Sequence, residues 1–202
     1  TTGIASGGFQ NIYGGNQDAF IAKFSSAGAL LWATYYGGTG TENGYCIATD
    51  AAGNVYLAGH TTSTTGIASG GFQNIFGGTQ DAFLVKFNSA GNRLWATYYG
   101  NVGNNYGYSV AVDGVGNVFL AGHADGFVGI ASGGFQNVYG GGFSDAFLVK
   151  FNAATGARLW ATYYGGTAED YSYSISVDTF GNVYLAGETY SSNGIALGGF
   201  NN

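Results

Sequence analysis

Three aspartates, Asp50, Asp113 and Asp178, stand at matching places in "TDAAGN", "VDGVGN" and "VDTFGN". A carboxylate just before a glycine turn can accept hydrogen bonds from backbone N–H groups two or three residues on. It can also help to ligate calcium, but a calcium loop needs several alternating acidic oxygens. "DGVGN" offers one, so the three are read as structural turn residues. His60 and His123 also match each other, and the third unit puts Glu188 there. Two histidines in separate units make no metal-ligand spacing. Cys46 is the single cysteine, with Ser109 and Ser174 as its counterparts. It reads as a small residue in a small site, and no disulfide framework exists. Glu169 and Asp170 form a carboxylate pair in one variable loop only and read as solvated acids. No G-x-S-x-G, H-E-x-x-H or phosphate loop is present. Near-identical units also place identical residues around an array, whereas catalysis needs different residues at one point. We therefore expect no enzyme, no metal and no cofactor.

The phrase "GIASGGFQN" runs from Gly3, returns unchanged from Gly66 and Gly129, and closes the chain from Gly194 as "GIALGGFNN". A long segment held constant has two readings. It packs against its neighbour, with Ile4, Phe9, Ile67, Phe72, Ile130 and Phe135 as buried plugs. Alternatively it forms one ligand site per unit. Gln10, Asn11, Gln73, Asn74, Gln136 and Asn137 are the candidate ligand or inter-unit contacts. Asp18, Asp81 and Asp145 recur in "DAF", and Lys23, Lys86 and Lys150 recur in "KF". With so few charges, these are expected to pair with each other.

Only 8% of residues are charged, and the net charge is −6. Five basic residues are too few for a phosphate-binding surface, so nucleic acid is not an expected partner. No apolar run is long enough for a membrane helix. Glycine is abundant at 39 residues without a three-residue period, and aromatic residues at 17% supply material for a core. The chain opens without Met, as a mature form or a piece of something longer does.

The residues above must be positioned by repeated elements. The sequence reads as one repeat array over 1–202, with units at 3–65, 66–128 and 129–193 and a partial unit at 194–202. In the second unit, "DAFLVKF", "RLWATYYG", "YSVAVD" and "NVFLAGH" are rich in Val, Phe, Tyr, Trp and Thr and bounded by Gly or Asn, as strands are. Hairpin-length turns, "SAGN" and "GVG", join the first two and the last two, and no helical period appears. Small residues on "YSVAVD" suit a crowded centre, and bulky "RLWATYYG" suits an outer strand. The expected fold is all-β: a β-propeller of four-stranded antiparallel blades, about three per chain. The β-trefoil and β-prism are the alternatives. Trp32, Trp95 and Trp160 are expected on the outer strand, packed between blades.

The run "GYSVAVDGVGNVFLAGHADG" followed by "GGFSDAFLVKFNAATGARLWATYYGG" resembles the bacterial SBBP repeat family, the so-called seven-bladed β-propeller repeat, with its "VD-GN-Y-G" hairpin, "DAF--K" and "TY-GG". The family often has Phe-Pro before "DAF", which this chain lacks, so that loop is expected to differ. The resemblance implies a secreted or cell-surface bacterial repeat protein without agreed catalytic residues. The expected function is a non-enzymatic structural or protein-interaction module, the alternative a lectin-like carbohydrate-binding propeller with one site per blade. Expected partners are a second copy in a homodimer completing a six-bladed ring, or further repeats of a longer chain. A glycan or surface protein is a further candidate. No membrane insertion is expected.

Overall fold

The computed structural model describes residues 3–126 and 128–197. The end of the partial unit, from residue 198, lies outside the described residues. Twelve strands follow one another: β1 (Ala19–Phe24), β2 (Leu30–Tyr36), β3 (Glu42–Thr49), β4 (Val55–Thr61), β5 (Asp81–Phe87), β6 (Arg93–Tyr99), β7 (Asn105–Val112), β8 (Asn117–Ala124), β9 (Asp145–Asn152), β10 (Arg158–Tyr164), β11 (Asp170–Val177) and β12 (Val183–Thr189). They form two complete four-stranded sheets, β3-β4-β5-β6 and β7-β8-β9-β10, and two separate pairs, β1-β2 and β11-β12. Every pairing is antiparallel. Each complete sheet is a meander: turns of hairpin length join its first two and its last two strands, and the long segment that carries the repeated phrase joins β4 to β5 and β8 to β9.

Strand contacts between sheets converge on β3, β7 and β11. Their Gly44, Gly107, Ser109 and Ala111 leave room for the backbones to crowd. Outer strands β2 and β6 bridge the widening gap with long side chains. Trp32 and Trp95 are buried between sheets as expected, and Trp160 is half-buried. The Trp32 indole N–H donates to the Ser89 carbonyl at 3.0 Å, and Trp95 does the same to Ala153 at 3.0 Å. Lys23 and Lys86 reach these same two oxygens, at 3.0 and 2.9 Å. Two donors thus satisfy both lone pairs of one backbone carbonyl in the next sheet's hairpin.

The repeated phrase is more than a connection. It lies along the outer strand as a short fifth edge, with Ser69 and Gly70 bridging Ala96, and Gln73 bridging Tyr98. Residues 6–10 and 132–136 repeat the pattern on Ala33, Tyr35, Ala161 and Tyr163. The expected plugs divide into two kinds. Ile67 and Ile130 are fully buried, and their carbonyls accept the hydroxyls of Tyr36 and Tyr99 from the preceding sheet. The phenylalanines are not buried: Phe9 and Phe72 are about two-fifths exposed (40% and 41%). They lie under the Arg93 and Arg158 guanidinium groups at 4.4 and 4.3 Å from the ring centroids. A cation above a ring is stabilising at a half-wet site where full burial of the arginine would cost more. Ile4 and Phe135 are exposed, since each lies at an end of the array without the neighbour that covers its counterparts.

Gly156 (φ +70) carries the hairpin past Trp95, and a Cβ there would sit 2.9 Å from the indole ring. Gly116 (φ +93) has the same left-handed backbone with open space around it. Gly116→Ala is expected to destabilise by about 1–2 kcal/mol from backbone conformation alone. Gly156→Ala should cost about 1–3 kcal/mol more, through overpacking against the indole. Denaturant melts of the two variants measure the difference, and equal losses would show that the Trp junction is slack.

Candidate interaction surface on the inner strands

Each inner strand carries one extra residue. The register of β3 on β4 steps from Gly44 to Cys46, that of β7 on β8 from Gly107 to Ser109, and that of β11 on β12 from Ser172 to Ser174. The unpaired residues are Tyr45, Tyr108 and Tyr173. A bulge bends the strand and re-aims the side chain. Here it brings a tyrosine from each unit into one belt with the strand-end histidines. Tyr45 and Tyr108 have ring centroids 5.0 Å apart, and Tyr108 and Tyr173 5.6 Å. Tyr106 and Tyr171 stack nearly parallel to the bulged rings of their own strands, at 6.0 and 6.4 Å. His60 sits between Tyr45 and Tyr106, and His123 between Tyr108 and Tyr171. Glu188 takes the histidine place in the third unit and accepts the Tyr173 hydroxyl at 2.8 Å.

Burial dominates the electrostatics of the belt. It holds His60 down at about 4, and it lowers His123 to about 4 with help from the charge on His60. Neither Nδ1 finds a hydrogen-bond partner. Tyr108 is pushed up to about 12 by burial and then by neighbouring tyrosines and Asp125. Tyr45 and Tyr173 remain about half exposed. An open cavity of about 410 Å³ lies beyond them, lined by Glu169, Tyr171, Tyr173, Glu188 and Tyr190. Exposed aromatic faces with hydroxyl and carboxylate rims suit recognition by stacking and hydrogen bonding.

The six Gln and Asn side chains of the phrase lie elsewhere. Gln73 Nε2 donates to the Ile75 carbonyl at 2.9 Å and to Asp81 at 3.3 Å, while its Oε1 accepts the Gly100 N–H at 3.2 Å. Gln10 makes the matching bonds to Ile12, Asp18 and Gly37, and Gln136 bonds to Val138 and Gly165. Asn74 and Asn137 donate to the carbonyls of Gly71 and Gly134, and Asn11 reaches that of Gly8 at 3.5 Å. These amides clip the phrase to its own sheet rather than joining neighbouring sheets. The expected contact between units is corrected accordingly: it is made by the Ile carbonyls, Trp and Lys.

The expected pairing of the "DAF" aspartates with the "KF" lysines is also corrected. Asp81 and Lys86 stand at opposite ends of β5. Asp81 instead accepts the Gly77 N–H at 2.7 Å, and Lys86 pairs with the turn residue Asp50 at 3.7 Å. Asp113 accepts the N–H groups of Val115 and Asn117 at 3.0 and 2.8 Å and the Asn117 amide at 2.6 Å. Asp50 and Asp178 do the same, with Tyr56 and Tyr184 adding hydroxyl donors. Burial acts to raise the Asp113 carboxyl, but the bonds from Asn117 and Val115 outweigh it and hold the group below its ordinary value. Cys46 is a free, half-buried thiol packed against the Tyr56 and Trp95 core. No cluster of three or more His, Cys, Asp or Glu suited to a metal occurs among the described residues.

The fold thus defines a class: an all-β repeat protein of blade-like four-stranded meanders. Residues 31–67, 94–127 and 159–195 each match the SBBP beta-propeller repeat, and the chain belongs to that family. It is 32% identical over 145 residues to the regulatory protein FlaEY of Caulobacter vibrioides, covering 71% of this chain and 15% of that protein. It is 30% identical over 118 residues to an uncharacterized WD repeat-containing protein L264 of Acanthamoeba polyphaga mimivirus, covering 55% of this chain and 8% of that one. The chain spans a small part of these relatives' lengths.

Two predictions follow from these groups. Asp113→Ala should destabilise by about 1–2 kcal/mol through lost turn hydrogen bonds, and added calcium should leave the Tm of the native chain unchanged. A calcium-dependent rise in differential scanning fluorimetry would contradict the turn-only role. The second concerns acid. His60 and His123 titrate near 4 in the fold against 6.5 when free. The unfolded chain therefore takes up their protons first, and stability is lost as pH falls through this range. Burial raises Asp81 and Asp145 to about 6 from 3.8, so the folded chain protonates these first and stability is gained as pH falls from about 6 to about 4. The two effects oppose each other. In His60→Gln/His123→Gln only the aspartate effect remains, and Tm should rise on acidification from pH 6.5 to 4.5, more steeply than in the native chain. A parallel pH profile for both proteins would refute the assignment.

Proposed function

We propose that this chain is a non-enzymatic interaction module of a secreted or cell-surface bacterial repeat protein. The observation that carries the reading is where the repeated polar groups are used. The Gln amides, turn aspartates, Trp indoles and Lys ammonium groups are engaged in holding turns, phrases and sheets together. The unspent surface is the tyrosine belt, in which Tyr45 and Tyr173 are half-exposed and Tyr108 lies half-buried between them. Tyrosine is enriched where proteins meet, because a large apolar ring with a polar tip binds well from water. Neither relative's name describes a catalytic activity, and one is called a regulatory protein. The extracellular assignment rests on the family resemblance.

A second reading, a lectin-like module, is supported by the same belt, since sugar rings stack on exposed tyrosines. It differs from the expected site in the phrase, whose amides are occupied. A glycan array separates the two readings. The interaction module should give no saturable glycan signal, while Tyr108→Ala/Tyr173→Ala should weaken capture of surface proteins without lowering Tm below that of the single variants. Saturable glycan binding lost in the same variant would overturn the first reading in favour of the second.

A further inference from the structure

Two acids meet at the junction between β9 and β11. Asp145 opens β9 and Asp170 opens β11, and they are 0% and 2% exposed. Asp170, expected among solvated loop acids, is thus corrected to a buried one. Both side chains gather over the bare face of Gly165, where a Cβ would lie 2.6 Å from Asp145 Oδ1 and 2.9 Å from Asp170 Oδ2. Three donors hold the Asp170 carboxylate: the Gly166 N–H at 2.7 Å, the Ser191 hydroxyl at 2.8 Å and the Thr189 hydroxyl. Asp145 Oδ2 accepts the Gly140 N–H at 2.5 Å, but Asp145 Oδ1 has no hydrogen-bond partner. Adjacent buried carboxylates repel, and an oxygen left bare in a dry site is destabilising. All these groups lie between residues 140 and 191, and more repeats beside them would only deepen the burial. We propose that Asp145 and Asp170 share one proton, carried on Asp145 Oδ1 and donated to Asp170 Oδ2. This bond ties β11 to β9 and is lost as pH rises.

The middle junction makes the same link without a titrating proton. Asn105 takes the place of Asp170 there, and its amide reaches Asp81 Oδ1 at 3.5 Å. The surroundings change with it. Thr189 stands opposite Asp170, with Ser191 two residues on, whereas Ala124 stands opposite Asn105, with Gly126 two residues on. Hydroxyl donors accompany the acid, as a group that keeps its negative charge requires, and are absent where an amide replaces it. The first junction differs at the other partner. Asp18 faces Glu42 over Gly37, but Asp18 Oδ1 accepts the Gly15 N–H at 3.2 Å. In the third unit the segment before the aspartate is one residue longer, "YGGGFSD" against "YGGNQD", and Asp145 Oδ1 is left without such a donor. No cation among the described residues takes its place. Lys150 and Arg158 lie toward the far ends of β9 and β10, and His123 on β8 is buried and held down at about 4. Tyr139 of the phrase, Tyr163 of β10 and Asp125 after β8 are acids, as are Glu169 and Tyr171 beside Asp170. Burial first, and also the Asp170 charge, push Asp145 up to about 6 against the pull of the Gly140 bond.

The test is a carboxyl-detected NMR titration of the full chain labelled at aspartate, with Asp145 assigned through the backbone resonances of the native chain. Asp145 is expected to titrate near 6. In Asp170→Asn an amide donates to Asp145 as Asn105 does to Asp81, so the proton affinity of Asp145 should fall about tenfold or more. Asp81, which burial also raises to about 6, should not move in that variant. The folded chain binds the Asp145 proton more tightly than the unfolded chain does, so stability is lost as pH rises from about 4 to about 6. Asp145→Asn keeps a neutral donor at every pH. It should melt above the native chain at pH 7.5 and lose less Tm between pH 5 and 7.5. A native Asp145 that titrates near 4 would overturn the shared proton, whether or not any variant folds. A titration near 6 that stays put in Asp170→Asn would overturn Asp170 as the partner, and an Asp145→Asn chain with the native Tm slope would overturn the tie.

Discussion

At each outer junction, two donors of one sheet converge on a single backbone oxygen of the next. The Trp32 indole and Lys23 ammonium converge on the Ser89 carbonyl, and Trp95 and Lys86 converge on that of Ala153. Sheets that radiate from a crowded centre diverge outward, and only long side chains can span the gap there. Tryptophan fills it with apolar surface, and its N–H supplies a directed bond at the far side. The glycine after the acceptor, Gly91 or Gly156, exists because the indole occupies the space its Cβ would need. The rest of the unit depends on this contact, because it fixes how far each sheet turns from the last.

A second set of bonds holds each unit to itself. The phrase is rich in glycine and has little side chain to pack, so its backbone would be poorly held without partners. Gln10, Gln73 and Gln136 each use both ends of the amide, donating to the phrase and accepting from the turn after the outer strand. This accounts for the fidelity of the phrase without a bound ligand. The buried "DAF" carboxyl completes the clip. Its raised pKa at Asp81 is the cost of burying an acid where glycine N–H groups need an acceptor.

Much of this was legible in the sequence because it follows from period and turn chemistry. Alternation and glycine boundaries gave four strands per unit and their order. The place of Trp32 and Trp95 followed from their bulk. The turn role of Asp113 followed from its lone carboxylate. What was missed depends on direction rather than composition. The tyrosine belt was visible as spaced tyrosines in "YGYSVAV" and "DYSYSIS", but a bulge shifts a side chain by one place, and pattern alone does not show the shift. The Asp–Lys pairing failed because residues five apart on a strand stand about 16 Å apart. The phenylalanines were misplaced because Arg93 and Arg158 cover them from solvent's side, a contact between units that no local pattern encodes.

The acceptor at the junction is main chain, and this has an evolutionary consequence. Ser89 and Ala153 differ in side chain but offer the same oxygen. In the third unit the hairpin is one residue longer, as "NAATGA" against "NSAGN", and the Trp95 bond is kept at 3.0 Å. A unit therefore asks almost nothing of its neighbour's side chains at this point. Whole units can be copied, lost or exchanged by recombination without matching substitutions next door. Near-identical copies in tandem are the pattern such unit-wise inheritance leaves.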